Sequence, residues 1–290
     1  MAFHYSFLTR DHFPLVYRTF VEAFADYYVD ASYVTREVLL NRAIKNGVEF
    51  ESSVGVFDKK KMVGFTIIGI DVWNDSLSAF DAGTGIIPAY KGKGIAKQMF
   101  DFAVPRLREK GVSKFLLEVI QANEPAVRAY RKAGFVITRE FDCFELNIES
   151  ANLYAASKLP LEVKPLGKSG LAEFSEHIDW QPSWENSFAS IERIPDRVEI
   201  YGAFVEGICG GLLVYYPLIN WIMSLVVKRE YRRKGIATSL VSHFVKTSPS
   251  DVSVVKLINV DHSDEGMLKL LEKLRFKLTV KQYEMECSLR

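Results

Sequence analysis

The residues best placed for chemistry gather at a short glycine-rich turn, Lys91-Gly92-Lys93-Gly94-Ile95-Ala96. The turn follows an apolar, strand-like run ending near Ile87 and opens a helical pattern. A strand feeding a Gly-rich turn and a helix start makes an anion site, because free N–H groups point outward and the helix dipole favours negative charge. Gly92 and Gly94 remove Cβ atoms, so phosphate oxygens can approach the backbone. Lys91 and Lys93 add cationic donors. Neither Gly-x-Gly-x-x-Gly nor Gly-x-x-x-x-Gly-Lys-Ser/Thr is present, which disfavours dinucleotide and P-loop sites.

A second turn of this kind, Arg232-Arg233-Lys234-Gly235-Ile236-Ala237, lies 141 residues downstream. The register then holds without a gap: Gly94 to Phe135 and Gly235 to Phe276 are both 41 residues. β-Branched, apolar runs fall between, at Lys114–Ile120 and Val252–Ile258, and Met62-Val63-Gly64-Phe65 answers Ile208-Cys209-Gly210-Gly211 upstream. Matching spacing over this length indicates a duplication.

The elements that must position the first turn can be read from periodicity. Phe3–Leu8 alternates as a strand, and Asp11 caps a helix carrying Phe13, Val16, Phe20 and Phe24. Thr35-Arg36-Glu37 opens a second helix ending near Asn46-Gly47. Ser52–Asp58, Met62–Ile70 and Leu77–Ile87 form a meander, with Lys59-Lys60-Lys61 as a solvated hairpin turn. A helix runs from the Gly-rich turn to about Glu109, where Pro105 should kink or weaken its last turns. Strand Lys114–Ile120, helix Pro125–Ala133 and a β-segment through Leu146 complete the copy. The order implies an α/β fold with a mixed, mostly antiparallel sheet and helices on both faces. The expected domains are 1–147 and 161–290, joined by a linker over 148–160.

Composition sets the class. The chain is 48% hydrophobic and 25% charged, enough apolar material for two cores of ordinary size. No apolar run reaches membrane-helix length, and charge arrives too early at the N-terminus for a signal peptide. The 37 basic and 36 acidic side chains leave a net charge of +1, which supplies no global field for nucleic acid or anionic lipid. The five histidines show no metal-ligand spacing, and Cys143, Cys209 and Cys287 are too far apart and odd in number for a disulfide framework. A cytoplasmic protein with no metal is expected.

The two turns resemble the Arg/Gln-x-x-Gly-x-Gly/Ala signature of the GCN5-related N-acetyltransferase superfamily. In the first copy Leu117-Glu118-Val119 and then Asn123-Glu124-Pro125-Ala126-Val127-Arg128-Ala129-Tyr130-Arg131-Lys132-Ala133-Gly134-Phe135 follow. The latter is similar to the family's Asn-x-x-Ala-x-x-x-Tyr-x-x-x-Gly-Phe segment. Lys91 departs from the usual Arg or Gln, keeping the charge but losing the planar fork.

The resemblance implies acetyl-CoA, or another acyl-CoA, as co-substrate. Its pyrophosphate would rest on Lys91, Gly92, Lys93, Gly94, Ile95 and Ala96, and its pantetheine would pair along Gly85, Ile86 and Ile87. Asn123 would contact the cofactor arm. An amine would attack the thioester directly, with Tyr130 protonating the leaving thiolate. In the ribosomal-protein alanine acetyltransferases a glutamate at the position of Glu118 is the proposed base; Asp81 is the alternative here. Tyr27, Tyr28 and Asp26 lie where the family often builds its acceptor pocket. The acceptor, a small-molecule or peptide amine, is left open, as is the oligomeric state.

The second copy has Asn259 at the Glu118 position, Leu271 at the Tyr130 position and Arg275 at the Gly134 position. Asn cannot act as a base at neutral pH and Leu cannot donate a proton. Catalysis is therefore expected in the first copy. The reading from a different class is a catalytically silent acyl-CoA or metabolite sensor, which would have no use for the Glu118/Tyr130 pair.

Overall fold

In the computed structural model, residues 3–153, 159–167 and 170–289 are described. Part of the expected linker, 154–158, lies outside them. The chain divides into two compact units, 1–140 with 282–290, and 141–281.

The first unit contains β1 (His4–Phe7), α1 (Phe13–Ala23), α2 (Arg36–Lys45), β2 (Val54–Asp58), β3 (Lys61–Trp73) and β4 (Ser76–Ile86). It continues with α3 (Ile95–Glu109), β5 (Lys114–Ile120), α4 (Glu124–Lys132) and the start of β6 (Val136–Asn147). Strands β1 to β4 form the expected antiparallel meander, and β4 pairs with β5 in parallel. The outer partner of β5 is the far end of the chain: β12 (Lys277–Ser288) runs antiparallel to it from Gln282↔Ile120 to Ser288↔Lys114.

The second unit repeats the pattern. It holds β7 (Glu162–Pro165), the five-residue α5 (Phe188–Glu192), β8 (Glu199–Val205), β9 (Ile208–Tyr216), β10 (Trp221–Val227), α6 (Ile236–Thr247), β11 (Val254–Asp261) and α7 (Glu265–Lys273). Strands β7 to β10 are antiparallel neighbours, β10 meets β11 in parallel, and β11 pairs with the second half of β6. Each unit thus takes one strand from the sequence that follows the other copy's frame: the end of β12 belongs to the first unit and the second half of β6 to the second. The sequence reading places a linear boundary at 148–160, whereas the units divide within β6 and β12. A strand's outer partner is a long-range choice that local pattern does not encode.

Local signals explain most of the elements. Thr35 caps α2, its side chain accepting from the Val38 N–H. Asn123 caps α4 by accepting from the Ala126 N–H at 3.3 Å, and Pro125 occupies its first turn. Lys59 turns the β2–β3 hairpin with a positive φ of 54°. Helix α3 runs through Pro105 to Glu109. Its last turn is anchored by fully buried Leu107 and by Arg108, whose Nε donates to the Leu289 carbonyl at 2.6 Å. Tertiary packing there outweighs the lost backbone bond.

In the first unit α3 and α4 cover one sheet face through Ile95, Met99, Phe100, Leu107 and Val127, packed on Phe115, Leu117 and Val119. In the second, α6 and α7 do the same through Leu240, Phe244 and Leu271. No described helix is long and apolar enough to cross a membrane.

Candidate active site

The parallel pair β4–β5 is joined only from Ser78↔Lys114 to Asp81↔Leu117. Past Asp81 the two strands part, and β4 continues to Ile86 without a ladder partner on that side. The turn that follows lies at the mouth of this opening. Gly92 and Gly94 adopt φ of 77° and 76°, and the first turn of α3 has no side-chain cap. A Cβ at Gly92 would meet nothing within 4 Å, and one at Gly94 only the Gln98 side chain at 3.7 Å. The turn therefore needs glycine for its left-handed backbone rather than for lack of space within the protein. Lys91 and Lys93 are exposed and, among the described residues, make no ion pair. Lys93 Nζ sits 4.8 Å from the centre of the Tyr90 ring.

At the fork itself lies a polar cluster. Asp81, 7% exposed, accepts from the Gly83 N–H at 3.0 Å through Oδ1. Thr84 Oγ1 lies 2.7 Å from Asp81 Oδ2 and 2.8 Å from Thr66 Oγ1, and Thr66 Oγ1 lies 3.3 Å from Asp81 Oδ1. The Tyr130 hydroxyl faces Asp81 and Thr84. Burial pushes the Asp81 carboxyl up to about 6, against the lowering effect of its hydrogen bonds. Burial first, and then the Asp81 charge, hold the Tyr130 phenol well above its ordinary value. The Tyr130 ring is fixed by edge contacts with Phe100 and Phe135, at centroid distances of 5.7 and 5.9 Å.

The expected site residues fall into two groups. Asp81 pairs with Leu117, a member of the core under α3 and α4, so Asp81 and Tyr130 share that face. Glu118, the next residue along β5, is directed to the opposite face. There its cross-strand partner is Glu284 of β12, a buried carboxylate held by Arg139 at 2.9 and 2.6 Å and by the Thr138 hydroxyl at 3.0 Å. Asn123 uses its other end to donate to Tyr27 Oη at 3.4 Å, and Phe24, Tyr27 and Tyr28 continue α1 as a chain of edge contacts. A Cβ on Gly85 would strike the Phe65 ring at 2.8 Å and Phe24 at 3.0 Å, so these rings close over the end of β4. Asp26 is exposed. Thr66, Thr84, Arg139 and Glu284 did not emerge from the motifs; the signal the two threonines carry is a polar residue inside an otherwise apolar strand.

The second unit keeps the loop and loses the cluster. Arg233 and Gly235 hold φ of 61° and 88°, the same backbone as Gly92 and Gly94. A non-glycine in this region carries strain. The loop borders a cavity of about 500 Å³ between β10, β11 and α7, lined by Trp180, Val227, Arg232, Asn259 and Met267 among others. Its leading cation is already engaged: Arg232 donates to the Asp179 carboxylate and to the Val227 carbonyl, and Arg229 reaches the same carboxylate at 3.3 Å. These arginines hold Asp179 below the usual carboxylate range. At the places of Asp81, Thr84 and Tyr130 stand Ile222, Leu225 and Leu271. Leu213, paired with Leu225 as Thr66 is with Thr84, completes an aliphatic set inside the core. Asn259 sits at a bulge with φ 57° and donates to Ser183 Oγ at 3.2 Å, a structural role. Among the described residues no three His, Cys, Asp or Glu gather as metal ligands.

The sequence pattern of the Acetyltransferase (GNAT) family matches residues 14–135 and again 169–276. The chain belongs to this family, in two copies. One stretch of the chain is similar to streptothricin acetyltransferase of Streptomyces lavendulae, 35% identical over 74 residues, 26% of this chain and 38% of that enzyme. Mycothiol acetyltransferase of Corynebacterium aurimucosum is 38% identical over 56 residues, 19% of this chain and 18% of its own length. Over the whole chain the fold matches a tandem GNAT protein from the clavulanic acid biosynthesis pathway, with TM-score 0.75, 13% identity and coverage of 100% and 99%. A GCN5-related N-acetyltransferase from Sphaerobacter thermophilus gives 0.71 at 16% identity, covering 99% and 96%. The paired GNAT architecture thus extends along the whole chain.

Proposed function

We propose that the first unit transfers an acetyl or other acyl group from acyl-CoA to an amine by direct attack, and that the second unit performs no chemistry. The asymmetry at the fork carries this reading: Asp81, Thr84, Thr66 and Tyr130 in one unit face Ile222, Leu225, Leu213 and Leu271 at the same places in the other. A buried polar cluster costs stability compared with aliphatic packing, so its retention in one copy points to use.

In this reading the CoA pyrophosphate lies on the turn of Lys91–Ala96, and the pantetheine pairs with the free edge of β4 over Gly85 to Ile87. The thioester then reaches the fork, with Tyr130 beside the sulfur. Asn123, already committed to capping α4 and to Tyr27, shapes the wall of this channel. The amine approaches from the opposite sheet face, where Glu118 takes its proton before attack. The amine nitrogen adds to the thioester carbonyl, and the tetrahedral carbon then expels the thiolate as Tyr130 gives the sulfur a proton. In the second unit the cation of the corresponding loop is satisfied by Asp179.

Turnover of acetyl-CoA against a panel of amines, amino acids, peptides and aminoglycoside-type antibiotics tests the reading. No thioester consumption with any acceptor, alongside clear CoA binding, would favour a sensor. With a productive acceptor, Glu118→Gln should lose activity at neutral pH and recover as pH rises, because the free amine then forms without help. A defect of equal size from pH 6 to 9 would make Glu118 structural.

A further inference from the structure

The second unit carries a formed cavity whose entrance is held by a strap of its own chain. β10 and β11 pair only at Trp221↔Lys256. The cavity of about 500 Å³ lies where they part, with Leu225, Leu257 and Met267 in its lining. The turn on its border keeps the backbone of an anion site: Arg233 and Gly235 are left-handed, and the twelve-residue α6 starts without a side-chain cap. Residues 177–182 line the same cavity. From Ile178 to Pro182 they belong to no helix or strand, and two arginines tie them to the turn. Asp179 accepts from Arg232 Nη1 through Oδ2 and from Arg229 Nη2 at 3.3 Å through Oδ1. The His177 carbonyl accepts from Arg232 Nη2 at 2.5 Å. Phe174, 1% exposed, roots the strap in the core that also holds Trp221 and Met223.

We propose that Asp179 is a plug: an internal carboxylate, carried on the 177–182 strap, that takes the place of a ligand phosphate on the second turn and keeps CoA out of the cavity behind it. The inference rests on the reading that such turns receive a CoA pyrophosphate. Two guanidinium groups converging on one oxyanion is an arrangement that receives phosphate, and here the chain itself supplies the oxyanion. The first unit shows the same turn without a plug: Lys91, at the place of Arg232, is exposed and makes no ion pair among the described residues. The Asp179 side chain is 44% exposed, where ion pairs add little to stability. Its effect therefore falls on access to the cavity rather than on folding. A CoA molecule must break both arginine contacts and carry the strap aside, so its apparent affinity scales with the fraction of chains in which the strap is open.

Calorimetric titration of the full chain with CoA tests this, with Gly94→Val present throughout to take the first turn out of the count. Gly94→Val alone should bind CoA at least tenfold more weakly than Gly94→Val/Asp179→Ala, which should gain one CoA per chain. Asp179→Asn, which removes the charge and keeps the shape, should change affinity in the same direction. Adding Arg232→Ala to the Asp179→Ala chain should abolish the gain, which locates it at the second turn. Melting temperatures of the Asp179 variants should stay within about 4 °C of their parent, as befits an exposed ion pair.

Equal CoA binding with and without Asp179 in these folded variants would make Asp179 an ordinary surface ion pair and overturn the plug. So would a site in Gly94→Val alone that Arg232→Ala removes, because the second turn would then be open with Asp179 in place. Failure of the first unit's reading has a different signature: the chain with neither substitution would bind no CoA. The difference between the Asp179 variants and their parent would still decide the plug, a gain upholding it and no gain overturning it.

Discussion

Tyr130→Phe is expected to lower turnover by about 10²-fold or more while leaving CoA affinity and melting temperature near wild type. The substitution removes one oxygen and keeps the ring against Phe100 and Phe135, so packing should not move. Asp81 loses one hydrogen-bonding neighbour but retains Thr84, Thr66 and the Gly83 N–H. The decisive comparison is kcat against CoA Kd in the same preparation. A fall in both would mark Tyr130 as a packing residue.

The second large effect concerns the far end of the chain. Met285 is fully buried in the first unit's core and pairs with Leu117 beside the fork. Met285→Ala should destabilise that unit by about 2–5 kcal/mol, the usual range for emptying a buried site of this size. Amide hydrogen exchange locates the damage. Faster exchange in β3, β4 and β5 is expected, with β8 to β10 unchanged. The opposite pattern would return β12 to the second unit. The same logic makes the stability of the first unit depend on Glu284 and its neighbours, although they lie more than 140 residues beyond Glu140.

Much of this was legible locally. The phosphate-type turn, its glycines, the strand Lys114–Ile120 and the capped helix beginning at Asn123 all carry their signals within a few residues. The duplication was legible because the spacing between Gly94 and Phe135 recurs between Gly235 and Phe276. What stayed hidden depends on partners distant in sequence. Thr66 and Thr84 are ordinary strand residues until the β3–β4 register places them opposite each other. Glu284 belongs to the first unit only because β12 pairs with β5. Asp179 looks like an ordinary loop acid until it is found on Arg232. Glu118 and Tyr130, twelve positions apart, read as a pair in the sequence; strand alternation directs Glu118 away from the face that carries Tyr130.

The assignment of chemistry to the first unit is the central claim, and one paired assay tests it most directly. Gly94→Val and the double variant Arg232→Ala/Gly235→Val are compared for acetyl-CoA turnover with one productive acceptor. A β-branched residue at the φ of 76° held by Gly94 must reshape the first turn. That variant should lose tenfold or more in CoA affinity, about 1.4 kcal/mol or above, and turnover at limiting acetyl-CoA should fall with it. The double variant should stay within about twofold of wild type. The reverse outcome, with the first loop dispensable and the second required, would place catalysis in the second unit and contradict the account.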